Sequence, residues 1–408
     1  MPLSRRQVYR RRRVAVVGIL AVVLGAGFYL PTTLLAPLDT ASAEALPFEA
    51  PVSTPVELSW PELGASAIGA VGFDGALGRS GSRKALPIAS VSKVITALVV
   101  LEKKPLEVEH SGPSISFTSR DVAFYDSYVA RNGKVEPVRS GLVLSERQVL
   151  ELTLVASANN YARSLVTWAF GSEKAYLKVA NAWLDDHGLD HTTMADATGM
   201  SPRNRATATD LVELAKLALA HPVVAEITST KKITIPSIGS VTNTNDLLGV
   251  DGVHGIKTGT LDEAGACLLF TADYSVRGKT FTLVGVVLGG KDHPSLDKSI
   301  RKLLRSAKKG FEVLPLVSKG DAFATYDTPW GDSSTAVATA DKSVVVWAGT
   351  PITATVVSKP IGLARKGDPV GTLTFTVGSQ KVSVALELTT GIRDPGAQWR
   401  LTHPALLF

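Results

Sequence analysis

The sequence of 408 residues contains a single cysteine, Cys267. One cysteine excludes a disulfide framework within the chain, so stability has to come from a hydrophobic core. Cys267 lies in an apolar run, which favours a buried strand position over a reactive thiol. Hydrophobic residues make up 45% of the chain, enough for one large core and a smaller second domain.

Most of the chain also lacks an excess of charge of one sign. The formal net charge is +6, but six arginines lie within residues 5–13. From Glu44 onward, 37 basic residues are balanced by 36 acidic ones. This part of the chain therefore lacks the basic footprint of a nucleic-acid-binding protein, and we expect no nucleic-acid partner.

A long apolar run follows the six arginines. It covers residues 14–30, and Pro31 interrupts it. Basic residues before such a run keep that end in the cytoplasm and direct the rest of the chain across the membrane. The small residues Ala41-Ser42-Ala43 resemble a signal peptidase site, whereas the run is close to the minimum length of a spanning helix. Residues 1–43 are therefore predicted to be either a cleaved signal or a retained anchor.

The rest of the chain divides into three parts by composition and pattern. Residues 44–62 are rich in proline and are predicted to be a linker. Residues 63–316 mix helical and strand periodicities, and residues 317–408 contain short apolar runs separated by turn residues. The sequence therefore predicts a large mixed domain followed by a small all-β domain.

Apolar periodicity places individual elements within the mixed domain. Residues 65–73 are predicted to begin a hairpin, and the runs at 266–272 and 280–288 are predicted to be adjacent buried strands. Thr209 is the predicted N-cap of one helix, and His221-Pro222 is its predicted stop. Helices are predicted over residues 90–102, 146–170, 175–187, 209–220 and 295–309.

Three short motifs occur in order along this domain: Ser90-Val91-Ser92-Lys93, Ser157-Ala158-Asn159 and Lys257-Thr258-Gly259. Serine acyl-transferases that act on D-Ala-D-Ala and β-lactams carry this set. Spacing of i to i+3 puts Ser90 and Lys93 on one helical face. A lysine on a buried apolar helix is costly unless it has a task, and burial with a neighbouring cation lowers its pKa towards that of a base.

Each motif alone also has an ordinary structural interpretation. Four other Ser-x-x-Lys matches in the chain fit surface positions of basic stretches, and only the match at Ser90 begins an apolar helix. Ser157 and Asn159 fit polar positions inside a helix, and residues 257–259 fit a strand end and turn. The agreement of all three motifs in order and in flanking sequence favours the chemical interpretation.

With these motifs, the chain resembles the low-molecular-mass penicillin-binding proteins of the serine D-alanyl-D-alanine carboxypeptidase family. The likeness is carried by residues 87–98, 154–160 and 243–265, and by intervals of 67 and 100 residues between the motifs. The resemblance implies an α/β (α+β) fold of the serine β-lactamase/DD-peptidase type. This fold has an antiparallel sheet with a helical subdomain, and here a small C-terminal all-β domain follows it.

The resemblance also implies a function and a set of site residues. Ser90 is the expected nucleophile, Lys93 its base and Ser157 a proton relay; the expected substrate-binding residues are Asn159, Lys257, Thr258, Gly259 and Thr260. The expected reaction removes the terminal D-alanine from peptidoglycan stem peptides through an acyl-enzyme, without a metal or organic cofactor. β-Lactams are expected as covalent inhibitors. The expected location is the extracytoplasmic face of a bacterial membrane, held by the N-terminal segment, or the cell wall if the signal is cleaved.

Other functions remain to be weighed. A class A β-lactamase would need a deacylating glutamate, and residues 190–202 contain none. A DD-endopeptidase that cuts cross-links uses the same site and stays open. A non-catalytic wall-binding or β-lactam-sensing protein is disfavoured because all the polar motif residues are present. His187 and His191 straddle Gly188, so a zinc site is not expected.

Overall fold

The computed structural model of the chain describes residues 5–51, 55–62, 64–276 and 278–408. Residues 1–4 of the predicted signal segment and 52–54 of the predicted linker lie outside the described residues, as do Leu63 and Arg277.

Helices and strands alternate in the first three quarters of the chain, and strands dominate the last quarter. The helices are α1 (Arg5–Leu34), α2 (Ser92–Lys103), α3 (Ser119–Val129), α4 (Glu146–Leu154), α5 (Asn159–Phe170), α6 (Glu173–Asp186), α7 (Ala208–Ala220), α8 (Pro222–Ser229), α9 (His293–Lys308) and α10 (Gly396–Thr402). The strands are β1 (Ala43–Ala45), β2 (Ala65–Ala70), β3 (Gly78–Gly81), β4 (Leu86–Pro87), β5 (Ser114–Ser116), β6 (Val143–Ser145), β7 (Arg205–Ala206), β8 (Lys232–Ile235), β9 (Gly239–Thr242), β10 (Val253–Leu261), β11 (Gly265–Val276), β12 (Lys279–Gly290), β13 (Phe311–Val317), β14 (Ala322–Asp327), β15 (Ser333–Ala338), β16 (Lys342–Trp347), β17 (Ile352–Ser358), β18 (Pro369–Val377) and β19 (Gln380–Leu388).

A five-stranded antiparallel sheet organises the mixed domain. Its strand order is β10-β11-β12-β2-β3, so the predicted pairing of the two long apolar strands is confirmed and β10 lies at an edge. Successive side chains of β11 point to opposite faces. Cys267 and Leu269 enter the core under the helices, whereas Leu268 and Phe270 pack on the α9 side. Both faces of the sheet are therefore covered by helices.

The helix α2 lies at the centre of the helical core, as its all-round apolar pattern predicts. Every residue from Ser92 to Leu101 is buried. Full burial of one large aliphatic side chain contributes about 1.5–3 kcal/mol. The helix is therefore a rigid support for the turn that precedes it, which spans Ala89–Val91.

Two predicted helix boundaries were wrong, and the predicted stop at His221-Pro222 was confirmed. The region 146–170 forms two helices, α4 and α5, because residues 155–158 leave the helical conformation and Ser157 adopts a φ of 60°. Helix α7 is capped by Thr207 rather than Thr209, since the Thr207 side chain accepts a hydrogen bond from the Asp210 N–H. Pro222 ends α7 but also begins α8, where its missing N–H costs nothing.

The C-terminal strands surround a hydrophobic core of their own. Six strands form a sheet in the order β1-β14-β15-β19-β18-β17, and β13 pairs with β16 beside it. Strand β13 passes between the two regions, because Phe311 belongs to the α9-side core and Val317 to the C-terminal core. The domain division at residue 317 stays a prediction. The first residues of the predicted linker are folded, since Glu44 and Ala45 pair with β14.

Glu146 is a buried carboxyl group without a partner. The residue is 0% exposed, and neither of its side-chain oxygens has a hydrogen-bond partner within the described part of the chain. Burial raises the pKa of Glu146 to about 7, against a smaller opposing influence of Lys104. Ionised Glu146 is therefore unfavourable in the folded protein.

We expect the stability cost of Glu146 to depend on pH. Its pKa is higher in the folded than in the unfolded protein, so stability is retained below the unfolded value of about 4.5 and is lost as the pH rises through about 7. Glu146→Gln should therefore be more stable than the parent at pH 8, by on the order of 1 kcal/mol, with little difference near pH 4. Thermal unfolding of both proteins across this range tests it, with the exposed Glu109→Gln as control. A pH-independent difference would contradict the assignment.

Candidate active site

The three sequence motifs meet at one place in the fold. Ser90 lies in the turn that leads into α2, Ser157 lies in the break between α4 and α5, and residues 257–260 belong to the edge strand β10. Two of these segments contain a non-glycine residue in the left-handed backbone conformation: Ala89, with φ 45°, and Ser157, with φ 60°. Such conformations cost about 1–3 kcal/mol each and cluster at functional sites. The surrounding core therefore holds both serines in specified positions.

The amine of Lys93 is buried and fully hydrogen-bonded. Its Nζ donates to Ser90 Oγ at 2.8 Å, to Asn159 Oδ1 at 2.7 Å and to the Thr198 carbonyl at 2.6 Å. Burial lowers the pKa of Lys93 to about 7; Asp196 opposes this shift and Lys134 adds to it. Near neutral pH, a substantial fraction of this amine is therefore uncharged and able to accept a proton from Ser90.

Asn159 and Ser157 have different surroundings. Asn159 is the first residue of α5, its backbone N–H donates to the Lys134 carbonyl at 2.8 Å, and its side chain accepts from Lys93. Ser157 is 5% exposed. Its hydroxyl forms no hydrogen bond with another group among the described residues. The structure thus brings Ser90, Lys93 and Asn159 into direct contact and leaves the Ser157 hydroxyl available.

Lys257 is a second buried amine, on β10. Its Nζ donates to the Thr258 carbonyl at 3.1 Å and lies 3.4 Å from Thr244 Oγ1. Burial lowers the pKa of Lys257 well below its ordinary value, and the nearby cations Lys93 and Lys134 lower it further. The hydroxyls of Thr258 and Thr244 also contact each other. The group therefore offers an amine and two hydroxyls to an anionic or polar ligand.

Gly259 allows β10 to lie against the turn Ala89–Val91, which carries Ser90. A Cβ atom at this position would be 3.1 Å from the backbone nitrogen of Ser90 and 3.1 Å from the Ile88 carbonyl oxygen. Normal carbon contacts are about 3.5–4.0 Å. The close approach brings the end of β10 beside Ser90, where the backbone N–H groups of Ser90 and Thr260 are the expected oxyanion donors.

Two groups that contact the site were not identified from the sequence. Asp196 accepts hydrogen bonds from Thr198 N, Thr198 Oγ1, Gly199 N and Ser201 N, at 2.6–3.0 Å. This turn fixes the Thr198 carbonyl that accepts from Lys93. His293 Nε2 lies 2.8 Å from Thr260 Oγ1, at the start of α9. The Asp196 turn has a local signal in the sequence, an Asp-x-x-Gly pattern within residues 190–202. The contact of His293 joins residues that are 33 apart and has no such local signal.

The histidines at 187 and 191 are separate from this site. The His187 ring stacks on Trp183, and His191 lies 3.6 Å from an Asp210 oxygen. Within the described ranges, no group of three or more His, Cys, Asp or Glu side chains is arranged to hold a metal ion.

Comparison with protein families identifies the scaffold. The sequence matches the family described as D-alanyl-D-alanine carboxypeptidase (peptidase family S11) over residues 76–292, more than half of the chain. The chain belongs to this family. The resemblance drawn from the three motifs is therefore confirmed.

Curated relatives of the S11 chain carry two different activities in their names. A D-alanyl-D-alanine endopeptidase of Pseudomonas aeruginosa is 33% identical over 193 residues, which is 45% of this chain and 58% of that protein. The D-alanyl-D-alanine carboxypeptidase DacF of Bacillus subtilis is 23% identical over 249 residues, covering 60% of this chain and 61% of that one. The chain thus matches about three fifths of the length of these relatives.

Solved structures of the same type share the fold. The penicillin-binding protein PBP3 of Streptococcus pneumoniae, described as a peptidoglycan synthesis regulatory factor, superposes with a TM-score of 0.59 at 21% identity. The match covers 83% of this chain and all of that one. The predicted fold class, with an antiparallel sheet, a helical part and additional C-terminal strands, is confirmed.

We expect Gly259→Ala to slow acylation of Ser90 while leaving the fold intact. The added methyl group has to displace β10 or the turn Ala89–Val91 by a few tenths of an ångström. A misplacement of 1 Å can cost about 100-fold in rate, so we expect this smaller displacement to cost roughly 10-fold. The measurement is the rate of covalent labelling by a fluorescent penicillin. Gly362→Ala, where the new methyl group meets nothing within 4 Å, is the control. Labelling of Gly259→Ala at the parent rate would show that the close approach is unimportant.

Proposed function

We propose that this S11 chain is a serine-type D-alanyl-D-alanine carboxypeptidase that removes the terminal D-alanine from peptidoglycan stem peptides. The observation that carries the proposal is the hydrogen bond between the buried amine of Lys93 and the Ser90 hydroxyl, 2.8 Å long, with the Lys93 pKa lowered to about 7. A base of this pKa next to a serine hydroxyl is suited to nucleophilic catalysis near neutral pH.

The proposed reaction proceeds in two steps. Ser90 Oγ attacks the carbonyl carbon of the penultimate D-alanine and passes its proton to Lys93, while the backbone N–H groups of Ser90 and Thr260 stabilise the oxyanion. Ser157 relays a proton to the leaving amine, the peptide bond breaks and D-alanine departs. Water then hydrolyses the Ser90 ester and restores the free enzyme.

The remaining residues bind the substrate in this proposal. Asn159 holds both the substrate amide and Lys93, with which it already shares a 2.7 Å hydrogen bond. Lys257 and the Thr258 hydroxyl bind the terminal carboxylate, and Gly259 lets the substrate backbone lie along β10. An edge strand has unpaired backbone groups that suit an extended peptide. A β-lactam would acylate Ser90 in the same way and act as a covalent inhibitor.

A second candidate is a DD-endopeptidase that cuts the D-alanyl bond of peptide cross-links. Sequence identity to the relatives favours the endopeptidase. The Pseudomonas relative named as an endopeptidase is 33% identical to this chain, and the Bacillus carboxypeptidase is 23% identical. The two reactions share the nucleophile, the base and the acyl-enzyme, and differ in the group that leaves. A non-catalytic wall-binding protein is a poorer fit, because such a protein does not need the intact contact between Lys93 and Ser90.

We expect the protein to release D-alanine from a pentapeptide ending in D-Ala-D-Ala, and we expect Ser90→Ala to release none. A cross-linked muropeptide dimer, assayed beside it, distinguishes the two candidates because its cleavage yields monomers and no free D-alanine. The variant provides the matched control, since it removes only the nucleophilic oxygen. Cleavage of the dimer without release of D-alanine from the pentapeptide would contradict the carboxypeptidase and support the endopeptidase. Inactivity on both substrates, with stable penicillin labelling, would contradict either peptidase.

We also expect the acylation rate to rise with pH through about 7. Lys93 is protonated below its pKa and cannot then accept the Ser90 proton, so the rate should fall about tenfold for each pH unit well below 7. The measurement is the pH profile of penicillin labelling, with thermal unfolding at each pH as the control for folding. A profile that stays flat between pH 5 and 8 would contradict Lys93 as the base.

A further inference from the structure

The N-terminal helix is longer than the sequence pattern suggested. Helix α1 continues through Pro31 to Leu34, and no charged residue lies within residues 14–38. The uncharged helical stretch from Val14 to Leu34 is about 30 Å long at 1.5 Å per residue, which equals the hydrocarbon thickness of a bilayer, also about 30 Å. Signal peptides have apolar cores of about 7–15 residues. Before Tyr29, whose hydroxyl bonds the C-terminal segment, the stretch has 15 residues and is about 22 Å long, so the contacts of α1 rather than its length have to distinguish an anchor from a signal.

The end of α1 is joined to the C-terminal segment of the chain. Tyr29 donates its hydroxyl hydrogen bond to the Leu401 carbonyl at 2.6 Å. Arg400, on the short helix α10, donates from Nη1 to the Ala36 carbonyl at 2.6 Å and from Nη2 to Asp394 at 2.7 Å. The seven-residue α10 packs on α1.

Residues that follow α1 continue into the C-terminal sheet. Ala41 is buried and exchanges two backbone hydrogen bonds with Ile361, at 2.8 and 3.0 Å. Strand β1 then pairs with β14, and the Leu46 N–H donates to the Phe323 carbonyl. The Phe48 ring packs edge-on against Phe375, with 5.4 Å between their centroids. Residues 41, 43–46 and 48 therefore contact the β-rich region directly.

Removal of residues 1–43 would discard several of these contacts. Arg400 is only 8% exposed, and its Nη1 would lose the Ala36 carbonyl. Because α1 packs on α10, its removal would also expose Arg400 to water, so the loss is the net contribution of a charge-assisted hydrogen bond, about 1.5–3 kcal/mol. Ile361 would also lose both of its hydrogen bonds to Ala41. The mature fold thus uses groups that a signal peptidase acting after Ala43 would remove.

We propose that α1 is retained in the mature protein as its membrane anchor, and that residues 29–48 fix it rigidly to the C-terminal β-rich region through Arg400. Because the arginines at 5–13 keep the start of α1 in the cytoplasm, this region lies against the outer surface of the bilayer. Tyr29 and Trp399 are the aromatic types enriched at that interface. The catalytic site is then held at a set height above the membrane by folded structure. The proposal does not depend on the proposed peptidase activity.

The first test is the mass of the mature protein. The untagged full chain is produced in a bacterium with active signal peptidase, recovered with an antibody against the mixed domain, and its intact mass is measured. We expect the full 43.0 kDa chain, in a membrane fraction that alkaline carbonate does not release. Secreted proteins of the host, matured in the same cells, are the processing control. A chain that begins at Glu44 would overturn the proposal.

The second test addresses the rigid attachment. In the purified full chain, Arg400→Ala should lower the melting temperature by on the order of 5 °C, because Ala36 and Asp394 both lose their partner. Arg365→Ala, at an exposed arginine of the same region, is the matched control. Arg400→Lys keeps the charge but cannot bond Ala36 and Asp394 in the same fork geometry, so it should give a smaller decrease in melting temperature. If Arg400→Ala fails to fold, Arg400→Lys provides the test. Decreases no larger than that of Arg365→Ala would overturn the attachment.

Discussion

The burial of the Lys93 amine is the constraint on which the active site depends. A cation at this depth is unfavourable, and the structure offers it three oxygen acceptors, from Ser90, Asn159 and Thr198. These acceptors come from three separate segments of the chain. The Lys93 side chain therefore links the turn Ala89–Val91, the start of α5 and the turn that Asp196 stabilises. The same burial that makes the lysine costly lowers its pKa to about 7, which suits its proposed role as a base.

Backbone geometry provides a second constraint at the same place. Ala89 and Ser157 adopt left-handed conformations, and Gly199 does so directly beside Ala89, where a Cβ would lie 1.8 Å from the Ala89 carbonyl oxygen. Gly259 brings the edge strand to the same turn. These residues are rigid because the α2 core and the five-stranded sheet support them from behind. Strain of this kind is retained only where the surrounding packing over-determines it.

The two candidate reactions share Ser90 and Lys93 in this proposal, so the distinction between them belongs to the residues around that pair. In the proposed reaction Lys257 and Thr258 bind the carboxylate of the leaving D-alanine, and Thr260 follows them on β10. His293 adds a ring nitrogen there, bonded to Thr260 and contributed by α9. The pKa of His293 is lowered by burial and by the Lys257 cation. A neutral imidazole beside a lysine makes the electrostatics of this end differ from those of the Ser90–Lys93 pair.

The sequence by itself determined the features that depend on local pattern. Motif order, the buried helix behind Ser90, the two long paired strands and the strand-rich end of the chain all follow from residue type and short-range periodicity. Only the tertiary structure decided the contacts made across long intervals. Thr198 meets Lys93 from 105 residues away, His293 meets Thr260 from 33, and Arg400 meets Ala36 from 364. The folded state of residues 44–48, predicted as part of a linker, also depends on the tertiary structure, because an edge strand forms only on a partner strand. Such pairings leave no periodicity in the sequence, since the partners are chosen by packing and by hydrogen-bond geometry in space.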